Sequence, residues 1–350
     1  MSFYDHLNEP WSPWMTAGGE AADVVVSSRA RLARNVQGYA FPGRMRDDEA
    51  SRLVREVGQA LESVAPDWFY IGMEDLLPLD RQVLVEKHLI SPEFAQNPQH
   101  RALAMAPSEA EAIMVNEEDH LRLQSFRPGL AVEAAYQAVS ALDDLLEQKL
   151  RFVFDPQLGY LSTSPTNVGT GLRVSVMVHL AGLVHAQLAN PMLAALAKLG
   201  VAIRGIYGEG TQAAGHLFQI SNQVSLGRTE EELVQSVRQV ALQVVEEERK
   251  ARQMLARDHL VEIQDRVFRS LGVLENARLI SAEEALERIS DVRLGVEMGL
   301  LKRPSLSTLS ALMVVSLPGF LHRRAGKDLG RSERLALRAS LIRERLKEEE

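Results

Sequence analysis

The stretch that decides the fold is residues 22–31, Ala-Asp-Val-Val-Val-Ser-Ser-Arg-Ala-Arg. Its run of consecutive valines predicts a buried β-strand, because β-branched side chains favour extended backbone. Arg29 and Arg31 are two residues apart, so an extended chain would direct both guanidinium groups to one side. We expect the strand to occupy residues 22–28 and to hold the two arginines at its far end.

Outward from this stretch, helical and extended patterns follow one another, which predicts a mixed α/β fold. Apolar residues recur at helical spacing in residues 47–65 and again in residues 132–150. Residues 173–199 form a long apolar segment, which predicts a long helix followed by a turn. Further strands are predicted within residues 101–115, 152–164 and 202–227.

The pattern changes after Gly227, and nearly all of the remaining chain has helical spacing. Thr229 and Glu232 have the spacing of a capping box, and Ser281 and Glu284 repeat it. We therefore predict three parts. They are an irregular arm over residues 1–20, a mixed α/β domain over residues 21–252, and an all-helical domain over residues 253–350.

Composition excludes several classes of protein. The 350 residues carry a formal net charge of -8, which argues against general adhesion to nucleic acid or to an anionic membrane. There is no cysteine, so disulfides and thiolate metal sites are excluded. We see neither a secretory signal nor an uninterrupted apolar span, and we expect a cytoplasmic protein.

Common nucleotide-binding motifs are missing from the sequence. There is no G-x-x-x-x-G-K-[ST] loop, no G-x-G-x-x-G after a strand, and no HRD or DFG pair. If the chain binds a polyphosphate, side chains rather than a glycine-rich loop have to hold it.

Five polar segments lie at junctions between the predicted elements, where functional sites are often found. Each also has a purely structural interpretation. Asn167 and Thr170 could cap a helix, and the glycines of residues 204–210 could form a turn. An isolated arginine is usually a solvated surface charge. The segments are SSRAR at 27–31, EKH at 86–88, NEEDHLR at 116–122, SPTNVGTGLR at 164–173 and RGIYGEG at 204–210.

In this order, the segments resemble those of the guanidino (phosphagen) kinases, the family of arginine and creatine kinases. The resemblance covers about residues 23–227 and implies an antiparallel sheet flanked by helices, with ATP as phosphoryl donor. The chain is most similar to the bacterial branch that phosphorylates arginine side chains of proteins. The Ser27-Ser28-Arg29 segment begins only 26 residues into the sequence, so we expect the small helical N-terminal domain of the metabolic kinases to be missing. A helical C-terminal domain follows the catalytic segments instead.

The resemblance implies which residues bind ATP. Arginines should line its phosphates, because guanidinium forks match phosphate oxygens. His88 should lie near the nucleotide, and Mg²⁺ should bridge phosphate oxygens without a dedicated protein site. The implied residues are Ser27, Ser28, Arg29, Ala30, Arg31, His88, Arg122, Arg173, Val174, Ser175, Val176, Met177, Arg204, Gly205, Ile206, Tyr207, Gly208 and Glu209.

The acceptor guanidinium has a pKa above roughly 12, and its delocalised lone pairs make it a poor nucleophile. Carboxylates can hold such a group by hydrogen bonds and accept its proton. By resemblance we predict Glu118 as the principal base and Glu209 as a second clamp, with Ser164 and Asn167 near the substrate.

Two positions depart from the family pattern. Ser164 stands where the family generally has a cysteine before Pro-Thr-Asn, so any contribution of a thiolate is lost. Protein arginine kinases carry an Arg-Asp-x-x-Arg-Ala motif for phosphoarginine and allosteric control. Here Arg334 and Arg338 remain, but Leu335 replaces the aspartate, and an ordinary charged helix is an equally good interpretation.

Two other functions stay open: a kinase of free arginine or another small guanidino compound, and a non-catalytic adaptor. The intact arginines and glutamates argue against the adaptor. Partners implied by resemblance are proteins with exposed arginines, a zinc-binding activator protein, a Clp-type unfoldase and protease, and a heat-shock repressor. Apolar helices after Thr229 could form a homodimer interface or a core.

Overall fold

A computed structural model describes residues 2–198, 200–205 and 214–349. Its centre is an antiparallel sheet with the strand order β2-β3-β4-β5-β1-β8-β10-β9, and β6 and β7 form a separate hairpin. The strands are β1 Val25–Arg34, β2 Phe69–Gly72, β3 Ala102–Met105, β4 Glu111–Val115, β5 Leu121–Pro128, β6 Phe154–Asp155, β7 Gly159–Tyr160, β8 Leu172–His179, β9 Val201–Gly205 and β10 Leu217–Asn222.

Helices cover both faces of the sheet. Within the described residues they are α1 Phe3–Asn8, α2 Asp47–Val64, α3 Pro78–Glu86, α4 Pro92–Gln96, α5 Val132–Glu147, α6 Ala181–His185, α7 Ala189–Ala197, α8 Glu230–Asp258, α9 Leu260–Asn276, α10 Ala282–Glu297, α11 Leu306–Val315, α12 Pro318–Ala325 and α13 Arg331–Lys347. None of these helices is both long enough and apolar enough to cross a bilayer.

The predicted buried strand is present and lies at the centre of the sheet, but residues 22–24 precede it and it extends beyond residue 28. β1 continues to Arg34 and pairs with β5 on one side and β8 on the other. Arg29 and Arg31 therefore lie in the middle of the strand and not at its end. The two flanking strands supply the backbone hydrogen bonds that keep the polar half of β1 extended.

Residues 173–199 do not form the predicted long helix. Their first part is β8, in which valines at 174, 176 and 178 alternate with Arg173, Ser175 and Met177, and short helices α6 and α7 follow. A short apolar run has no period that separates a buried strand from a buried helix. Because a strand follows, Asn167 and Thr170 do not cap a helix; the Thr170 hydroxyl instead accepts from Leu172 N at 3.1 Å.

Other predictions are confirmed. α2 and α5 occupy the segments with helical spacing, and β3 and β4 surround the expected turn. The Thr229 hydroxyl accepts from Glu232 N, and the Glu232 carboxylate accepts from Thr229 N, so α8 begins with a capping box. α8 continues without a break through residue 252, and the domain division at that residue stays a prediction.

The sheet separates two cores. On one face, Ala30 and Leu32 of β1 pack with residues of α2, α5 and α8. On the other face, the outer parts of the sheet contribute Met105, Met114 and Leu217 to a second core with the C-terminal helices. Between those apolar parts, the second face carries the arginines.

The N-terminal arm is more ordered than predicted, because it contains α1 and packs on the protein. Lys87 Nζ, which is fully buried, donates to His6 O at 2.8 Å and to Glu109 Oε1 at 2.6 Å. His6 Nδ1 lies 3.1 Å from the same carboxylate, and Ser12 also donates to it. This buried ionic cluster ties the arm to the segment that carries His88.

A polar network joins the C-terminal helices to the sheet. The buried Ser290 hydroxyl lies 2.8 Å from His179 Nε2 and 2.8 Å from His216 Nδ1. Glu297 binds His179 at 3.0 Å and Arg252 at 2.8 Å. α10 is thereby fixed to the ends of β8 and β10.

Candidate active site

Five of the arginines selected from the sequence lie on one face of the sheet. Strand register establishes this, because residues directly opposite each other on neighbouring strands share a face. Arg31 lies opposite Arg173, and Arg122 lies opposite Ala33, two residues further along β1. Arg204 lies opposite Gln219, which in turn lies opposite Met177 on the same face of β8 as Arg173. The five are Arg29, Arg31, Arg122, Arg173 and Arg204.

These guanidinium groups repel one another and are incompletely paired. Burial is the main cause that lowers the pKa of Arg29 to about 9, and the charge of Arg122 is the second. Burial and the neighbouring arginines also hold the pKa of Arg31 well below its usual range and lower that of Arg173. The Nε atoms of Arg29, Arg31 and Arg173 are buried without a hydrogen-bond partner among the described residues. A polyanion would supply the missing acceptors and neutralise the repulsion.

A cleft of about 460 Å³ opens beside Arg29, Arg31 and Arg122, a size suited to a nucleotide. His88 lies on its wall with a positive φ of 59° and its ring edge against Trp14. Burial, together with the charge of Arg29, lowers the pKa of His88 to about 4, so the imidazole is neutral at pH 7. A smaller hollow of about 70 Å³ joins His88 and Arg29 to Ser27, Phe126, Ser175, Met177 and Gln219.

Not every residue of the implied nucleotide-binding stretches turns towards the arginines. The side chains of Ala30, Val174 and Val176 are fully buried in the core on the opposite face. Ser28 also faces away, and its hydroxyl donates to Gly129 O at 2.8 Å and accepts from Ala131 N at 2.9 Å. For these four residues the structure shows a packing role for the side chain.

The carboxylates of NEEDH have different surroundings. Glu117 is buried: it accepts from Arg122 Nη1 at 2.5 Å, from Ser91 Oγ at 2.7 Å and from Glu118 N at 2.8 Å. Burial raises the pKa of Glu117, but Arg122 and these hydrogen bonds outweigh it, and its pKa lies below the ordinary value. Glu117 is thus an ionised carboxylate that holds Arg122.

His120 is enclosed as well. His120 Nδ1 accepts from Val36 N at 2.9 Å and Nε2 donates to Ala40 O at 2.8 Å, an arrangement that requires the neutral ring. Burial lowers the pKa of His120. Its ring fastens the turn to the segment after β1.

Glu118 differs from its neighbours because its side chain is 42% exposed. Its carboxylate lies 3.8 Å from Arg122 Nη1, which is too long for a hydrogen bond. Of the charged residues in the turn, Glu118 is therefore the one whose carboxylate can reach a ligand above the arginines.

The segment around Ser164 adjoins this turn. Ser164 Oγ lies 3.1 Å from Thr166 Oγ1, and Ser164 N donates to Ser162 Oγ at 3.1 Å. Asn167 ends the short 3₁₀ helix Pro165–Asn167 and donates its backbone N–H to Ser164 O at 2.9 Å. The Asp119 carboxylate connects this segment to NEEDH.

Part of the predicted site lies outside the described residues. Arg204 and Gly205 end β9, whereas Ile206, Tyr207, Gly208 and Glu209 belong to residues 206–213, outside that part of the chain. The role predicted for Glu209 stays a prediction.

Arg334 and Arg338 lie on α13, far from the arginine face in sequence. Arg338 is buried and donates to Ser316 O at 2.6 Å and to Ile280 O at 2.9 Å. Arg334 donates to Leu329 O at 2.9 Å. Arg338 thus links two loops of the C-terminal part, and phosphoarginine binding by the pair stays a prediction.

The sequence interpretation missed residues that complete the site. Gln124 accepts from the Arg29 guanidinium and Phe126 lies under it, with the guanidinium carbon 4.9 Å from the ring centre. Both follow Arg122 at alternate positions of β5, so strand period was the available signal. Leu317 and Pro318 at the start of α12 line the 460 Å³ cleft, and no sequence pattern relates them to it.

Comparisons with known proteins agree with this architecture. The chain is similar to the crystal structure of lombricine kinase, with a TM-score of 0.58 and 24% identity over 69% of this chain and 72% of that one. The fold is therefore that of the guanidino kinases.

Sequence comparison is more specific. Residues 50–251 match the family described as ATP:guanido phosphotransferase, C-terminal catalytic domain, and residues 260–350 match the protein-arginine kinase McsB C-terminal domain. A protein-arginine kinase of Moorella thermoacetica is 47% identical over 96% of this chain and 97% of its own. One of Halalkalibacterium halodurans is 46% identical over 100% and 99%. The chain belongs to the protein-arginine kinase branch of the ATP:guanido phosphotransferase family.

Proposed function

We propose that this protein transfers the γ-phosphoryl group of ATP to arginine side chains of proteins. The observation that carries the proposal is the arginine face of the sheet, where three buried Nε atoms have no hydrogen-bond partner among the described residues and the exposed carboxylate of Glu118 lies nearby. The family supplies the reaction class, and the relatives named protein-arginine kinases supply the acceptor.

In this proposal the arginines bind the phosphates. Phosphoryl transfer depends on charge neutralisation and in-line positioning more than on covalent chemistry. Arg29, Arg31, Arg122 and Arg173 stand on paired strands, so their spacing is fixed before ATP arrives. Glu117 orients Arg122 by the 2.5 Å contact, and Mg²⁺ would accompany ATP through the phosphate oxygens.

Glu118 acts as the base towards the acceptor. It hydrogen-bonds the arginine side chain of the substrate and takes the proton from the attacking nitrogen. The N–P bond forms as the bond between the γ-phosphorus and the β–γ bridging oxygen breaks, and ADP leaves with that electron pair. Glu209 is proposed, on resemblance alone, as the second carboxylate that orients the guanidinium.

Other aspects of the proposal rest on family resemblance. They are the domain division at residues 20 and 252, a homodimer, a cytoplasmic location, and an allosteric role for Arg334 and Arg338. They also include delivery of phosphorylated proteins to a Clp-type protease, control of a heat-shock repressor in a stress response, and a zinc-binding activator protein.

Incubation with Mg-ATP and either an arginine-rich protein or free arginine tests the proposal, with acid-labile, base-stable phosphate as the readout. We expect label on the protein. Glu118→Gln should lower the rate by about two or more orders of magnitude, the scale of general-base effects. Glu62→Gln, an exposed carboxylate on α2, is the control and should keep the wild-type rate.

Label on free arginine alone would assign a small-molecule kinase. Absence of label on both acceptors would refute the proposal and favour a non-catalytic adaptor. An unchanged rate in Glu118→Gln would remove Glu118 from the role of base and leave the phosphotransferase assignment intact.

A further inference from the structure

Asp119 lies between the two segments that form the acceptor side of the proposed site. We propose that Asp119 is a positioning residue whose buried carboxylate fixes the loop of Ser164 relative to Glu118. The inference rests on the proposed function, because it concerns the geometry of the same reaction.

The Asp119 carboxylate accepts hydrogen bonds from three donors. Oδ1 accepts from Asn35 Nδ2 at 2.7 Å and from Thr163 N at 2.8 Å. Oδ2 accepts from Ser162 Oγ at 2.7 Å. The residue is 2% exposed, so the carboxylate cannot contact a substrate and its influence has to pass through these neighbours.

The contacts extend from Asp119 to Ser164. Ser162 Oγ donates to Asp119 and accepts from Ser164 N at 3.1 Å, which places Ser164 two hydrogen bonds away from the carboxylate. On the other side, Glu118 is the residue directly before Asp119 in the chain. One buried carboxylate therefore orients both the proposed base and the loop opposite it.

Asn35 keeps Asp119 itself in place. Asn35 is buried, and its side chain accepts from His120 N at 3.0 Å and donates to Leu161 O at 3.0 Å as well as to Asp119. The end of β1, the NEEDH turn and the loop at residues 161–164 are thus joined through two adjacent side chains. Such fixed geometry matters for a reaction whose rate depends on the placement of reacting atoms.

The hydrogen-bond pattern predicts an unusual order of variants. Asparagine can keep all three contacts, because its Oδ1 accepts from Asn35 and Thr163 and its Nδ2 donates to the Ser162 hydroxyl, which can accept. Alanine removes all three. If the charge of Asp119 took part in the chemistry, asparagine and alanine would be equally impaired.

The experiment measures kcat and the KM values for ATP and for a protein acceptor in Asp119→Asn, Asp119→Ala and Ser162→Ala. Since misplacement of reacting groups by about 1 Å can cost 10²-fold in rate, we expect kcat to fall by about 100-fold in Asp119→Ala and about 10-fold in Ser162→Ala. The KM for ATP should change little in all three, and Asp119→Asn should stay within about threefold of wild-type kcat.

Asp155→Ala is the matched control, because the Asp155 carboxylate also accepts from two backbone amides, Gln157 N at 2.8 Å and Leu158 N at 2.9 Å, but in the β6–β7 turn. It should keep wild-type kcat. An Asp119→Asn variant as inactive as Asp119→Ala, or a Ser162→Ala variant with full kcat, would overturn the inference. If Asp119→Ala fails to fold, an Asp119→Asn variant with kcat more than about tenfold below wild type, or a Ser162→Ala variant with full kcat, would still overturn it.

Amide hydrogen exchange separates this inference from the proposed function. The N–H groups of Thr163 and Ser164 should exchange faster in Asp119→Ala or Ser162→Ala than in wild type, whether or not the protein phosphorylates arginine. Unchanged exchange at both amides would refute the positioning role, whereas a wild-type protein without kinase activity would refute the proposed function alone.

Discussion

Replacement of Arg31 by methionine should stabilise the ATP-free protein and weaken its binding of ATP. Burial first, and then the charges of Arg29, Arg122 and Arg173, lower the pKa of Arg31, and the Glu117 carboxylate opposes them only in part. The Nε atom of Arg31 is buried and has no hydrogen-bond partner within the described ranges. The charged form is therefore disfavoured in the folded state, which is the meaning of a lowered pKa for a cation.

The magnitude follows from the removal of a half-buried charge that is only partly compensated. Replacing buried ionic groups by apolar groups of similar volume is often neutral or stabilising by about 1–4 kcal/mol, and because Arg31 is only half-buried we expect the low end of that range. The lost cation should also remove a charge-assisted contact to phosphate of about 1.5–3 kcal/mol. Because about 1.4 kcal/mol corresponds to a factor of ten, the dissociation constant for Mg-ATP should rise about 10- to 100-fold.

Thermal unfolding with and without Mg-ATP measures both effects in one experiment. Arg31→Met should unfold at a higher temperature than wild type without ATP and gain less from added ATP. Arg127→Met is the control, because Arg127 lies on β5 but is paired with Glu111 at 2.6 Å, so its loss should destabilise the protein and leave ATP binding unchanged. A destabilised Arg31→Met variant, or one with wild-type affinity for ATP, would refute the reasoning.

Two further predictions concern Ser164 and the buried histidines. Ser164→Cys should make the enzyme sensitive to iodoacetamide, whereas the cysteine-free wild type should keep its activity under the same treatment; equal inactivation of both would contradict this. Burial lowers the pKa values of His120 and His179, and it lowers the pKa of His216 to about 3. Because the unfolded chain then binds more protons, the free energy of unfolding should fall as pH decreases below about 6.5, by up to about 1.4 kcal/mol per pH unit for each histidine. Urea unfolding at pH 7.5 and 5.5 measures the loss, and His216→Asn should reduce it; a variant with the wild-type pH dependence would exclude His216.

Much of the arginine face could be predicted because its residues follow a simple period. Arg29 and Arg31 are two apart on a strand, and the antiparallel partners place Arg122 and Arg173 on the same face. The sequence predicts a helix in place of β8 because the valines and leucine of β8 form a continuous apolar run with the helices that follow. Pairing with strands that are distant in the chain makes this segment a strand, and sequence alone does not show that pairing.

The structure is needed to distinguish the roles of the three neighbouring carboxylates in the NEEDH turn. Glu117, Glu118 and Asp119 are adjacent in sequence, and composition assigns them no separate roles. Their partners distinguish them: Glu117 holds Arg122, Asp119 holds the loop at residues 162–164, and Glu118 stays exposed. The prediction of Glu118 as base came from resemblance, and the structure supplies a physical reason to prefer it over its neighbours.

The arrangement also explains why this chain needs no glycine-rich phosphate loop. A loop of that kind presents backbone N–H groups, whereas here paired strands present guanidinium groups at a spacing fixed by the sheet. Repulsion among those groups destabilises the ATP-free protein, and a bound polyanion relieves it. In the proposed function, the charges that bind the donor would also repel a cationic acceptor, so carboxylates would be needed where the acceptor enters. We propose Glu118 for that role because its neighbours on both sides bind protein groups, whereas its own carboxylate is exposed.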